Sequence, residues 1–345
     1  MDSVTQIALG AAIGEAVLGK KVRNKAMLWG AIAGTIPDLD AIPGHFLNTV
    51  SRLEIHRGVT HSILFAIVLA PVLGHLVAKM YKTEKADRGD WSKLFFWGLF
   101  THALLDAFTT WGTQLFWPFE YRVAIKSIFV VDPLYTLPLL ICLIWLSVKK
   151  DGRVRRKLNA IGLGLSTLYL GLTLVNKTIM IQNFREILES KNISYSRVTT
   201  RPAPFNNLLW TANIETEAGF YICHYSFLDN SKDVPLFYYR KNHEWLAELR
   251  ENDRVRRLLA ITKGWYTVSP QVKGLTINDL RFGQLGGFRD GKGPFVFRYK
   301  VEYDPENPAG PVRITADRPS FENRLPELRH LWERIKGNHL PGGAR

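Results

Sequence analysis

Three short stretches in the first third of the chain carry side chains that can bind metal ions. IPDLD, HRGVTHS and THALLD each contribute two of them: Asp38, Asp40, His56, His61, His102 and Asp106. The last two are four residues apart, a spacing that places both side chains on one face of a helix. Carboxylates and neutral imidazoles together are common ligands of divalent metals. These residues therefore indicate a metal site.

A metal explains this set better than ion pairing does. With Asp132 added, the region holds four acids and three histidines, and Arg57 is their only obvious cationic neighbour. Mixed His and Asp ligands suit Zn²⁺ best, with Mn²⁺ and Fe²⁺ as alternatives. Six ligands are more than one tetrahedral ion needs, which predicts two or more ions. Each pattern alone is weak, because HxxxD is often an intrahelical hydrogen bond and DxD often a turn.

Such a site is suited to hydrolysis of a phosphoester. A metal ion converts water into a hydroxide nucleophile near neutral pH and binds the oxygens of the reacting phosphate. Arg57 is expected to bind phosphate oxygens, because its planar guanidinium matches them. Asp132 is expected to orient a ligand or to complete the cluster. These two residues are the catalytic candidates.

Apolar segments must position these groups. Six can be recognised, over residues 4–19, 26–43, 61–80, 92–111, 127–148 and 158–176. A helix needs about 20 residues to cross a bilayer, so the first half predicts a bundle of about six transmembrane helices. Gly10, Gly14, Gly30 and Gly34 recur at four-residue spacing, which favours close helix packing.

Lys and Arg alternate between the loops that join these segments. The first, third and fifth loops are rich in them, whereas the second holds only Arg52 and Arg57, and the fourth only Arg122 and Lys126. Basic loops stay in the cytoplasm. The pattern predicts a multi-pass inner (plasma) membrane protein with its metal site and C-terminal half outside the cytoplasm. Much of the net charge of +14 comes from the Lys and Arg of these basic loops, where they set the membrane topology. No nucleic-acid partner is therefore expected.

The second half of the chain is different in character. Residues 1–176 form the predicted transmembrane metal-site domain, and residues 177–345 alternate polar and aromatic stretches with two amphipathic helical patterns. Runs such as GFYICHYSFL and PFVFRYKVEY are typical of strands. An extracytoplasmic α+β domain with a mainly antiparallel sheet is therefore expected. Two cysteines, one in each half, give no disulfide framework.

The motifs together resemble the YdjM-like family of membrane-bound, predicted metal-dependent hydrolases. The resemblance rests on TQIALGAAIGEAVLG, IPDLD, HRGVTHS and HALLDAFTTWGTQLFWPF, and it covers about residues 1–145. It implies a ligand pattern similar to that of zinc-dependent phospholipases C, with His102 and Asp106 as the HxxxD pair. The other four candidates match the family's DxD and HRGxTHS positions. Many relatives have a histidine where this chain has Gln6, which puts a full three-metal set in doubt.

Two functions follow as hypotheses. The first is an inner-membrane, metal-dependent hydrolase that cleaves a phosphoester or lipid-like substrate among the membrane lipids. The alternative is a non-catalytic membrane anchor or scaffold whose outer domain binds a cell-envelope partner that the sequence does not identify. The Gly-interrupted first segments also leave a transporter open, although no inverted repeat is visible.

Overall fold

The structure is a computed structural model, and it describes residues 1–82, 85–288, 290–304, 306–307, 310–319 and 325–337. The chain forms two compact units. The helical unit comprises Met1–Phe46, Ile55–Asn176 and Pro204–Asn206. The sheet unit comprises Leu47–Glu54, Lys177–Ala203 and the chain from Asn207 onward.

The helical unit contains helices of very different length. They are α1 (Ser3–Val22), α2 (Asn24–Ala33), α3 (Ala41–Gly44), α4 (Thr49–Ile55), α5 (Ile63–Met80), α6 (Arg88–Ala107), α7 (Pro133–Ser147) and α8 (Gly152–Ser190), of which α4 lies largely in the sheet unit and α8 continues into it. Helices α1, α5, α6 and α7 begin at side-chain caps. Ser62 caps α5 by accepting a hydrogen bond from the Phe65 amide at 3.0 Å. Asp87 and Asp90 form a reciprocal capping box on α6.

Helices α1 and α2 pack with their backbones in close contact. A Cβ atom on Gly30 would overlap the carbonyl oxygen of Gly10, and one on Gly34 would lie 2.5 Å from the carbonyl oxygen of Gln6. Only glycine permits this approach. The repeated glycines thus bring α1 against the end of α2, where the chain turns into a 3-10 helix over Ile36–Asp40.

The prediction of about six membrane-spanning helices needs correction. Within the described residues, two helices are long and apolar enough to cross a bilayer, Ile63–Met80 and Gly152–Ser190. The second predicted segment stops as an α-helix at Ala33, before Pro37. Helix α7 has 15 residues, and α6, although 20 residues long, carries charged groups near both ends, Arg88, Asp90 and Lys93 at its start and Asp106 near its end. Helix α7 is therefore shorter, and α6 more charged, than a typical membrane-spanning helix.

The sheet unit contains two four-stranded antiparallel sheets. The first has the order β1 (Arg197–Pro202), β2 (Leu209–Glu215), β3 (Gly219–Ser226), β4 (Leu236–Arg240). The second has the order β5 (Tyr266–Gln271), β6 (Gly274–Gln284), β7 (Phe295–Glu302), β8 (Arg313–Asp317). Helices α9 (Asp253–Thr262) and α10 (Leu325–Ile335) and a 3-10 helix over His243–Leu249 complete the unit. The predicted helical N-terminal half and antiparallel C-terminal half are both confirmed.

The first sheet is covered on both faces. Phe184 and Leu188 of α8 share a core with Trp210 and Ile214 on one face. On the other face, the Asn213 side chain donates a 2.7 Å hydrogen bond to the carbonyl oxygen of Leu280, in β6. This bond joins the two sheets of the unit.

Candidate metal centre

The IPDLD turn places its two acids on different neighbours. Pro37 lies at the start of the 3-10 helix, where its missing N–H costs no intrahelical hydrogen bond. The Asp38 side chain is 28% exposed and turns toward His61 and His102. Asp40 is buried and binds the loop that carries His56 and Arg57. Asp38 and Asp40 of one turn thus contact different parts of the site.

The HRGVTHS loop is held in a tight conformation. Arg57 has a φ of 57°, an unusual value for a residue other than glycine, asparagine or aspartate. A 3-10 turn over Val59–His61 then brings the fully buried His61 ring inward, just before α5 begins. The loop therefore delivers an imidazole to the end of that helix.

Four metal-binding side chains converge here, from three separate parts of the chain. The donor atoms of Asp38, His61, His102 and Asp106, the four-residue cluster, lie within 4.8 Å of one another. The Nε2 atoms of His61 and His102 are 3.1 Å apart. Asp38 Oδ1 is 3.5 and 3.6 Å from these two nitrogens, and Asp106 Oδ2 is 3.4 and 3.8 Å from them.

These separations fit a single metal ion. Two ligands about 2.1 Å from a tetrahedral ion lie about 3.4 Å apart, close to the separations in the cluster. Asp106 Oδ2 is also buried; it accepts no hydrogen bond of good geometry among the described residues, although Arg57 Nε lies 2.9 Å from it. Buried carboxylates need cationic partners, and one guanidinium does not balance the two acids of the cluster. The donor set and its spacing both match a divalent metal.

Hydrogen bonds behind the ligands fix their orientation. His102 Nδ1 lies 2.6 Å from the carbonyl oxygen of Gly34, an acceptor, so Nδ1 carries the proton and Nε2 presents its lone pair. His61 Nδ1 is 3.0 Å from the Thr60 hydroxyl. Such outer contacts orient imidazole ligands in metal sites. The Gly34 carbonyl and the Thr60 hydroxyl thus orient the two imidazoles for metal binding.

Asp106 is held by several donors. The Gln6 amide donates to Asp106 Oδ1 at 3.1 Å, and the Met1 amino group contacts the same oxygen. Arg57 Nε lies 2.9 Å from Asp106 Oδ2. The Gln6 Oε1 atom is itself buried and has no partner among the described residues. Gln6 therefore orients the Asp106 carboxylate, and its own Oε1 atom is left without a hydrogen-bond donor among the described residues. It stands at a position where many relatives have histidine.

Arg57 is engaged inside the site. Besides Asp106, its guanidinium donates from Nη1 to the Thr109 hydroxyl at 2.8 Å, and its side chain is 7% exposed. Burial lowers the pKa of Arg57 to about 10, with Asp38 and Asp40 acting in the opposite direction. It stays protonated at neutral pH. Its predicted contact with substrate phosphate stays a prediction.

Asp40 and His56 lie beside the four-residue cluster. Asp40 Oδ1 is 3.2 Å from His56 Nδ1, and Asp40 Oδ2 accepts from the Arg57 amide at 2.7 Å. The same oxygen is 3.8 Å from His61 Nδ1. The His56 side chain is 39% exposed, and its ring lies 5.7 Å from that of Trp111. Their roles as metal ligands stay predictions.

Asp132 has local partners. It caps α7 by accepting from the Leu134 amide at 3.0 Å, and it accepts from the Tyr169 hydroxyl at 2.9 Å. Its predicted catalytic role stays a prediction. Two participants were not identified from the sequence, namely Thr109 and the Gly34 carbonyl. Thr109 lies three residues after Asp106, in the turn that follows α6, and no sequence pattern singled it out.

Comparison with known proteins places this site within a recognised group. The sequence model of a family described as YdjM inner membrane protein matches residues 1–180. Inner membrane protein YbcI of Escherichia coli (strain K12) is 30% identical over 114 residues, which are 33% of this chain and 64% of YbcI. The chain thus spans just under two thirds of that relative. No solved structure matches significantly. The family match includes the whole four-residue cluster.

Proposed function

The chain belongs to the YdjM inner membrane protein family, and we propose that it is an integral inner-membrane, metal-dependent hydrolase acting on a phosphoester of a lipid-like substrate. The observation that carries this proposal is the convergence of two imidazoles and two carboxylates at metal-ligand spacing. Ordinary ion pairing does not explain why two histidine nitrogens should face each other between two acids.

The four-residue cluster would hold the ion. Two histidines and two aspartates suit Zn²⁺, and Mn²⁺ or Fe²⁺ accept the same donors. The cluster has the size of a one-ion site. If the predicted second ion is present, Asp40 and His56 are the neighbouring donors for it. When bound, such an ion supplies Lewis-acid activation of water and of a phosphoryl oxygen.

The surrounding residues position the reacting groups. Arg57 contacts Asp106 through its Nε atom and Thr109 through Nη1. We therefore assign Arg57 the role of orienting Asp106, one of the proposed metal ligands. Its charge also makes the buried site more favourable for an anionic phosphoester. Asp38 is the most exposed member of the cluster, which makes its side the entrance for substrate. Water and substrate would approach there.

An aromatic loop beside the site supports a lipid-like substrate. We call residues 111–123 the rim segment. Its ends are joined by backbone bonds between Thr113 and Val123, and Arg122 donates to the His56 carbonyl oxygen at 2.9 Å. Its middle exposes large apolar side chains: Phe116 (54%), Trp117 (36%), Phe119 (72%) and Tyr121 (70%). Aromatic residues of this kind favour the membrane interface, where a lipid phosphoester lies.

Charge supports an orientation for the two clear spans. Helix α5 ends near Lys79, Lys82 and Lys85, and α8 begins with a basic run, Arg153, Arg155, Arg156 and Lys157. Under the positive-inside rule these ends lie in the cytoplasm. The start of α5, with His61, would then lie on the outer side, and the end of α8 would lead out to an extracytoplasmic C-terminal domain. This topology is part of the proposal.

Metal analysis of the purified protein tests the function directly. We expect at least one stoichiometric equivalent of zinc, manganese or iron by mass spectrometry of the digested protein. The same preparation should release phosphate-containing products from phospholipid vesicles. A preparation without metal above the level of a His102→Ala variant would contradict the proposal.

The anchor or scaffold hypothesis keeps one observation in its favour. Asp106 is already paired with Arg57, so part of the charge in the cluster is balanced without a metal. In that case the cluster would be a structural network. Binding of a cell-envelope protein that survives His102→Ala, in a protein that binds no metal, would favour this alternative.

A further inference from the structure

A row of polar side chains lies between the two sheets of the sheet unit. Arg201 on β1 pairs with Thr211 on β2, which pairs in turn with His224 on β3. Directly opposed residues of neighbouring strands point to the same face. The same face carries Ile222, which shares a core cluster with Leu280 of β6. The row therefore faces the second sheet.

Arg201 is a buried cation without a counterion of its own. It is 7% exposed, and its guanidinium makes no hydrogen bond or ion pair within the described part of the chain. The acid that acts on it is Asp279. Arg281 already binds both oxygens of that carboxylate, with Nε 3.0 Å from Oδ1 and Nη2 2.7 Å from Oδ2. Arg281 thus neutralises the carboxylate that acts on Arg201, and Arg201 has no ion-pair partner of its own among the described residues.

Burying an uncompensated charge is expensive. Burial lowers the pKa of Arg201 to about 10, while Asp279 acts in the opposite direction. The side chain therefore remains cationic at neutral pH. A bound anion would offset this cost.

His224 provides a second unpartnered polar atom in the same row. It is 8% exposed, its Nδ1 lies 2.9 Å from the Thr211 hydroxyl, and its Nε2 has no hydrogen-bond partner among the described residues. Burial lowers the pKa of His224 to about 3, and the backbone of Gly287 near the ring acts in the opposite direction, as a carbonyl acceptor does. When Thr211 donates to Nδ1, the ring proton is on Nε2, which is then available as a hydrogen-bond donor.

Glycines bring the backbone of β6 and its following loop close to Arg201. Gly283 has a φ of 76°, and a Cβ atom there would lie 2.8 Å from Arg201 Nη2. Gly286, with a φ of 75°, and Gly287 follow. Backbone without side chains can approach an anion closely and offer its amides. The guanidinium thus has a glycine-rich wall beside it.

We propose that Arg201 and His224 form a binding site for a phosphate group inside the sheet unit. A guanidinium matches phosphate oxygens with parallel N–H donors, and the phosphate has oxygens left for the imidazole N–H. The phosphate comes either from solution or from a lipid headgroup. This site is separate from the four-residue cluster, and the inference does not depend on the proposed function.

Equilibrium binding of radiolabelled inorganic phosphate to the full-length protein in detergent tests the site. The protein is first treated with a chelator, so that metal at the four-residue cluster cannot bind phosphate. We expect saturable binding of one phosphate per chain. Arg201→Gln should weaken it about tenfold or more, because a charge-assisted hydrogen bond is lost.

The matched control is Arg197→Gln on the same strand. Arg197 has a 47% exposed side chain and pairs with Glu215, so phosphate affinity should stay within about twofold of the unaltered protein. His224→Phe keeps an aromatic ring of similar size and should also weaken binding. If Arg201→Gln loses its native circular dichroism spectrum, Arg201→Lys and His224→Phe decide the question.

Competition separates the two phosphate sources. Displacement of the label by short-chain phosphatidic acid, but not by short-chain phosphatidylcholine, would assign the site to a headgroup phosphate, and no displacement by either would assign it to free phosphate. Absence of saturable binding at millimolar phosphate would overturn the proposal. So would equal affinity in the unaltered protein and in folded Arg201 and His224 variants.

Discussion

The Nε2 atoms of His61 and His102 face each other at 3.1 Å in the interior of the helical unit. His102 Nδ1 bonds the carbonyl oxygen of Gly34, so His102 offers a lone pair on Nε2. Without a cation, His61 must place its proton on Nε2 and donate it. If a metal were bound, both Nε2 atoms would be available as ligands, and the His61 proton would be on Nδ1, where Thr60 and Asp40 lie. The hydrogen-bond partners of His61 and His102 are therefore compatible with both the metal-free and the metal-bound site.

Removing His102 should remove the metal. His102→Ala deletes one of four donors, so we expect bound metal to fall to background and hydrolysis to be lost. Metal content by mass spectrometry and phosphate release check this. The matched control is His75→Ala on α5, which should keep both. Full metal content in the His102 variant would argue that the cluster is not the binding site.

His56→Ala distinguishes a one-ion site from a larger one. His56 lies outside the four-residue cluster and its side chain is 39% exposed. If it only supports Asp40, the variant should keep one metal per chain and bind it somewhat more weakly. Loss of one of two metals would instead show that Asp40 and His56 hold a second ion. The ratio of metal to protein in the unaltered chain and in the variant decides between these outcomes.

Gln6→Ala should weaken metal binding without abolishing it. The Gln6 amide holds Asp106 Oδ1, and loss of such an outer contact costs about 10- to 100-fold in metal affinity. A competition titration with a fluorescent chelator measures the change. Gln182→Ala, on an exposed part of α8, serves as the control and should be neutral. An unchanged affinity in Gln6→Ala would show that Asp106 is oriented by its other partners.

Gly30→Ala should destabilise the helical unit. Its added methyl group would overlap the Gly10 carbonyl oxygen, and forcing α1 and α2 apart is expected to cost about 1–3 kcal/mol. Gly164→Ala in α8 is the matched control, because no atom lies within 4 Å of its Cβ position, and alanine there should be neutral or slightly stabilising. Thermal unfolding in detergent, followed by circular dichroism, compares the two. Equal midpoints would contradict the close packing of α1 and α2.

Phe119→Ser in the rim segment should lower activity on membranes selectively. The side chain is 72% exposed and is proposed to contact lipid, so its loss should reduce hydrolysis of phospholipid in vesicles several-fold. Hydrolysis of a water-soluble aryl phosphodiester should be unchanged. Tyr238→Ser, an exposed aromatic of the sheet unit, is the control. An equal loss with both substrates would assign the rim segment a structural role.

Local sequence determined the types of secondary structure in the two halves of the chain and part of the candidate metal site. The apolar first half predicted helices, and the alternating aromatic runs of the second half predicted an antiparallel sheet, because these patterns depend on neighbouring residues alone. Local spacing also placed His102 and Asp106 on one helical face. The motifs predicted the family, which the match over residues 1–180 confirms.

Tertiary structure decided the rest. Asp38, His61 and His102 come from segments that meet because α1 and α2 pack closely at their glycines and α5 packs against α6. No local pattern encodes these contacts. Packing drew four of the six candidates into one cluster and left Asp40 and His56 beside it. It also fixed where the second apolar segment stops, since Pro37 ends the run in a turn that carries ligands. Sequence spacing sets which side chains share a helix face, whereas distances between helices depend on packing across the whole unit.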